Sequence, residues 1–173
     1  MEGTKPTSIS TKEGEETDPK KFTMAIKKVI ENKLSDIKDQ ILVDTFEGGV
    51  RIQLVDKEGK PMFDLGSIQP TSLALRILKT ITDNIKNTTN PIAIEGYTDS
   101  LAYKSSNYSN WELSTERALA ARKLLKQFGI DSSRIKKISG YADTVPLIPE
   151  NPKDPRNRRI SILLFFPKAQ KER

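Results

Sequence analysis

The chemistry open to this sequence rests on two single side chains, Asp99 and Arg117, and one cluster, Arg156-Asn157-Arg158-Arg159. Asp99 follows Gly96-Tyr97-Thr98, where a short apolar run gives out. Loops beyond strand ends are common binding positions. Asp99 could equally be a turn residue whose carboxylate caps local backbone. Arg117 falls on the stripe Leu113, Arg117, Ala121, Leu124, Phe128 of a helix for which Ser114 is the expected N-cap. That places a cation on the core-facing side of a first turn, where both the macrodipole and desolvation oppose it. An anion bound by Arg117 and the free N–H groups would relieve both problems, and so would a structural salt bridge. Together, an Asp and an Arg can grip the ammonium and carboxylate of an amino-acid-like ligand.

Much other chemistry is excluded. The 173 residues contain no His and no Cys, so triads, thiol nucleophiles, disulfides and ordinary zinc sites are absent. No metal or cofactor is expected, and no pair of carboxylates suggests an acid/base enzyme. The segment Ser132 to Arg173 holds ten Lys/Arg against four Asp/Glu, which raises the question of an anionic partner. Nucleic acid is a poor fit. Arg158 and Arg159 lead into a strand and must point to opposite faces, and the basic segment lacks interleaved aromatics for base stacking.

The elements that must position these residues are legible in the pattern. Residues 1–18 carry one large aliphatic side chain, Ile9, and read as a disordered linker. Asp18-Pro19 opens a helix with Phe22, Ile26, Ile30, Leu34 and Ile37 on a narrow stripe, suited to another surface or to a second copy of the chain. Strands are expected at 41–46 and 50–55, joined at Glu47-Gly48-Gly49, then a helix over 71–87 and a strand over 91–96. A helix from Ser114 to Phe128, stopped by Gly129, precedes strands at 135–141 and 160–166. The order β-β-α-β-α-β-β predicts an α+β sandwich: a mixed sheet with two main helices on one face, preceded by the N-terminal helix. The longest apolar run, Ile160 to Phe166, is far short of the ~20 residues of a membrane helix, and residues 1–30 lack the core of a signal peptide.

Four stretches carry a resemblance. Ile94-Glu95-Gly96-Tyr97-Thr98-Asp99, Tyr108 to Ala118 (YSNWELSTERA), Ile138 to Leu147 (ISGYADTVPL) and Asn157-Arg158-Arg159-Ile160 resemble, in order, the signatures of the OmpA-like peptidoglycan-binding domain. Within that superfamily YSNWELS and GYADTVPL, with the upstream RIQLVDKEGKPMFDLGS, are similar to the MotB branch of flagellar motor stator subunits. The resemblance covers about Val50 to Pro167 and implies a domain over 50–168, with 19–49 as linker helix and first strand and 169–173 as a tail. It implies a periplasmic, non-enzymatic wall anchor whose ligand is peptidoglycan, the diaminopimelate of the stem peptide being held by Asp99 and Arg117. Thr98, Asn110 and Leu113 would shape the site, and Asn157 and Arg158 would line or brace it. A homodimer and a MotA-type channel partner are implied too. The same fold in another anchoring system, an outer-membrane lipoprotein or a secretion apparatus, is the alternative. Two departures stand out: Tyr97 replaces the usual His, and Asp154 stands where many relatives have Arg. A whole stator subunit also begins with a membrane helix bearing a proton-binding Asp. Neither is found here, so the resemblance implies a fragment, inner-membrane-anchored when whole.

Overall fold

The computed structural model describes residues 18–101 and 107–167. The expected disordered linker, apart from Asp18, and the whole C-terminal tail therefore lie outside the described residues. Asp18 caps the first helix, α1 (Pro19–Lys33), through its carboxylate and the Lys20 and Lys21 N–H groups. The helix ends earlier than its stripe suggests, because Leu34 leaves helical geometry and a short 3-10 segment, Ser35–Gln40, carries the chain on.

Strands β1 (Ile41–Phe46) and β2 (Gly49–Val55) form the expected hairpin. Helix α2 (Ser72–Ile85) follows, capped by Thr71, then β3 (Ile92–Tyr97) and helix α3 (Asn110–Gln127). Strands β4 (Ile135–Gly140) and β5 (Arg159–Phe165) complete a five-stranded sheet of order β1-β2-β5-β3-β4. Only β3 and β4 run parallel, so the sheet is mixed as expected.

Strand alternation divides the sheet into two faces. Val50, Ile52, Leu54, Ile92, Ile94, Ile160, Ile162 and Leu164 share one core with the buried faces of all three helices. The opposite face carries Arg51, Gln53, Glu95, Tyr97, Arg159 and Ser161, in register across β2, β5 and β3. The α1 stripe belongs to this same core. Phe22, Ile26, Ile30, Leu34 and Ile37 are all buried, and Phe22 meets Phe166 edge-on at 5.7 Å. The stripe is thus consumed within the chain and offers no spare apolar surface to a second copy.

The starting point of α3 differs from expectation. Its N-cap is Ser109, not Ser114, and Ser109 with Glu112 forms a reciprocal capping box. Ser114 instead lies inside the helix, donates to Trp111 O, and accepts the Ala142 N–H at 3.0 Å. Ala142 has a positive φ of 52°, so the loop after β4 is held to α3 through a strained residue. Gly96 and Gly140, paired in the β3–β4 register, seat the helix. A Cβ on Gly96 would stand 2.0 Å from Ser114 O, and one on Gly140 2.7 Å from Thr115 N.

Candidate functional site

β3 runs out at Tyr97, and the loop beyond it is pinned by its own polar groups. Thr98 is buried; its N–H donates to Ala142 O at 2.8 Å and its hydroxyl to Asp99 O at 2.9 Å. Asn110, the first residue of α3, donates from Nδ2 to Leu101 O at 3.0 Å and reaches Asp99 O at 3.4 Å. Leu113, also on α3, is buried. Asp99 is itself only 5% exposed and uses both carboxylate oxygens: Oδ1 accepts the Leu101 N–H at 3.0 Å, Oδ2 the Arg158 Nη1 at 2.6 Å. The turn role and an ion-pair role are therefore both filled by one residue.

Arg158 comes from the turn that leads into β5. Its Nε donates to Asp56 Oδ2 at 2.8 Å, so one guanidinium bridges two carboxylates. Burial works against the Arg158 charge, yet the two carboxylates outweigh it and hold its pKa above the ordinary value. Asp56, at the end of β2, also accepts the Met62 N–H at 2.8 Å and is 4% exposed. Burial pushes its carboxyl above the usual range, with Arg158 and the Met62 N–H pulling the other way.

Arg117 is placed differently from the sequence reading. With α3 starting at Asn110, it lies about two turns into the helix and not beside the free N–H groups. The helix dipole therefore favours no anion at that position. Its guanidinium donates to Ser67 O at 2.9 Å and Asp64 O at 3.3 Å, and stands over the Phe63 ring at 5.2 Å. Burial lowers its pKa, and Asp56 is the countercharge that most offsets this. Among the described residues it makes no direct ion pair, so the structural salt bridge weighed for it is not what satisfies it. Backbone carbonyls and an aromatic face take that place.

Asn157 is fully buried and braces the preceding loop, accepting the Ile148 N–H at 2.7 Å and donating to Asn151 O at 2.9 Å. Arg159 points to the opposite face, as the alternation demands. It bonds Gln53 at 3.2 Å and Val145 O at 2.8 Å, and covers the Tyr97 ring at 3.8 Å. Tyr97 in turn stacks on Tyr141 at 5.0 Å. Asp154 caps the 3-10 turn Pro155–Asn157 and pairs with Arg156 at 2.8 Å. Arg134, a third cation of the basic segment, is buried against Ile85 O, Asn90 O and Thr88 Oγ1. Three of the ten C-terminal cations, Arg134, Arg158 and Arg159, therefore tie the fold together internally. Sequence reasoning missed Asp56. Its one signal is an Asp directly after the apolar strand Ile52-Gln53-Leu54-Val55, a position many turns also use.

Among the described residues no cluster is arranged to hold a metal ion, and no helix is long and apolar enough to cross a membrane. What the site presents is two guanidinia and two carboxylates gathered at one end of the sheet.

The chain is 36% identical over 140 residues to Motility protein B of Escherichia coli K12, an alignment covering 80% of this chain and 46% of that protein. It thus spans about half the length of the curated relatives it matches. In fold it resembles the periplasmic domain of Helicobacter pylori MotB, with a TM-score of 0.67 and 19% identity over 80% of this chain and 86% of that one. It also resembles the cell wall anchor of the Pseudomonas aeruginosa type VI secretion system, with a TM-score of 0.66 and 21% identity over 81% and 96%. The OmpA family profile matches residues 62–159, more than half of the chain, and takes in Asp99, Arg117 and Arg158. The chain belongs to the OmpA family.

Proposed function

We propose that this chain is a periplasmic wall-binding domain that holds a flagellar stator to peptidoglycan, with the diaminopimelate of the stem peptide as the gripped group. It acts by binding alone and performs no reaction. The observation that carries this reading is the ion-paired cluster of Asp99, Arg158 and Asp56 beyond the ends of β3 and β2, its two carboxylates buried and Arg117 within their electrostatic reach. Diaminopimelate ends in a carbon bearing both an ammonium and a carboxylate. Asp99 is the group suited to the ammonium, and the Arg117 guanidinium, which has further N–H donors beyond the two it gives to carbonyls, is suited to the carboxylate. Thr98 and Asn110 fix the loop that presents Asp99, Leu113 is buried in the helix that carries Arg117, and Asn157 holds the loop after β4. Arg158 sets the charge around Asp99.

The stator assignment rests on the likeness to Motility protein B, and with it come two further parts of the proposal: a homodimer and a MotA-type channel partner in the intact protein. The α1 stripe does not serve that dimer, since it is buried in the chain's own core. The likeness to a secretion-system wall anchor favours a second reading, the same grip in another apparatus. Co-sedimentation with purified sacculi tests the grip: the parent chain pellets with diaminopimelate-type sacculi, and Arg117→Ala does not. Loss of motility without loss of secretion on deleting the gene separates the two readings.

A further inference from the structure

We propose that Asp56, which lies outside the signatures around Asp99, Arg117 and Asn157, is a positioning residue of this site: it retains Arg158 when a ligand ammonium takes over Asp99. The inference rests on the wall-binding reading above and says how the site can accept a cation at all.

The difficulty is plain from the geometry. Both oxygens of Asp99 are engaged, Oδ1 by the Leu101 N–H and Oδ2 by Arg158 at 2.6 Å. An incoming ammonium must share Oδ2 with a guanidinium or displace it. A displaced Arg158 with no other partner would be a half-buried cation beside a second cation, and both desolvation and repulsion would oppose binding. Asp56 removes that difficulty. It already holds Arg158 by a separate donor, Nε at 2.8 Å, so Nη1 can yield Asp99 without the guanidinium leaving its carboxylate. Asp56 is in turn fixed by the Met62 N–H, which anchors the turn between β2 and the Phe63 loop.

Asp56 and Asp99 balance Arg158 and Arg117. A neutral cluster accepts a zwitterion without a net change, the ammonium going to the acidic side and the carboxylate to Arg117. Without Asp56 the cluster carries one excess positive charge, which disfavours the ammonium and favours the carboxylate. Asp56 therefore sets a preference for the zwitterion over a mere anion.

The test uses the full chain and two ligands: the alanyl-glutamyl-diaminopimelate stem peptide, and the same peptide with its distal amine acetylated. Calorimetric titration of the parent is expected to favour the free amine by about tenfold or more. Asp56→Asn loses most of that preference, chiefly through weaker binding of the free-amine peptide. Asp56→Glu keeps the charge and keeps the preference, whatever it does to stability. Equal loss of affinity for both peptides in Asp56→Asn would show a residue that only braces its turn, and would overturn the proposal. So would an unchanged ratio, or a loss of preference in Asp56→Glu. A parent chain that binds neither the peptides nor sacculi removes the wall-binding reading, and the proposal with it. A parent that binds while Asp56→Asn keeps its ratio removes the proposal alone.

Discussion

Arg158 Nη1 stands 2.6 Å from Asp99 Oδ2, so the guanidinium beside Asp99 enters from the head of β5, while Arg117 on α3 turns to the carbonyls of Asp64 and Ser67. The two arginines therefore differ in what their removal exposes. Arg158→Ala strands two buried carboxylates and is expected to cost about 3 kcal/mol of stability. Arg117→Ala removes a buried side chain with its two bonds to part-buried carbonyls and its contact over Phe63, but strands no charge, and costs about 1–2 kcal/mol. Both lower wall affinity, Arg117→Ala by roughly 5- to 150-fold if one or two charge-assisted bonds to the ligand are lost. Urea midpoints alongside sacculus co-sedimentation check the ordering. An Arg117→Ala chain less stable than Arg158→Ala would contradict it.

The seat of α3 gives a second expectation. Gly96→Ala would press a Cβ into Ser114 O, which is main chain and cannot rotate away. Overpacking of this kind costs about 1–3 kcal/mol, and here it also lifts the helix that carries Leu113 and Arg117. Thermal unfolding should show a lowered midpoint, and wall binding should fall by more than the lost stability explains.

Phe22 tests whether α1 is part of the domain. It is fully buried against Phe166, so Phe22→Ala should destabilise the whole chain by about 3–5 kcal/mol in one cooperative transition. A helix that merely tethered the domain would leave the unfolding midpoint unchanged.

Acid stability should depend in part on Asp154. Hydrogen bonds from the Arg156 side chain and N–H hold its pKa down to about 2, below the ordinary 3.8. A depressed carboxylate contributes stability that is present above its unfolded pKa and is lost as pH falls through the folded one. Asp154→Asn should therefore separate from the parent in urea midpoint near pH 5 and converge with it below about pH 2. Added salt should narrow the gap, because the pair is near the surface.

The strands were legible because alternation in Val50-Arg51-Ile52-Gln53-Leu54 is a local signal, and Gly129 ends α3 where a C-terminal glycine should. The head of α3 was not. Ser114 and Ser109 are both acceptable caps, and only the Glu112 that answers Ser109 separates them. That five-residue difference moved Arg117 from the first turn to the third and changed what supports it. Asp99 and Arg117 were legible as unusual residues, but their surroundings were not. Arg158 lies 59 residues from Asp99 and 102 from Asp56, and no periodicity reports a contact at such separations. The stripe of α1 was correctly read as apolar, while its partner, the chain's own core, is a tertiary fact.

The column Arg159–Tyr97–Tyr141 behind the loop has an electrical consequence. An imidazole at position 97 would gain or lose a proton near neutrality. Tyr97 is instead half-buried with its hydroxyl donating to Glu95 at 3.0 Å, and burial with the Glu95 charge pushes its pKa far above the phenol's ordinary value. Arg159 beside it stays charged at any physiological acidity. Neither Tyr97 nor Arg159 thus changes its charge near neutrality. The column is built as fixed wiring rather than as a sensor.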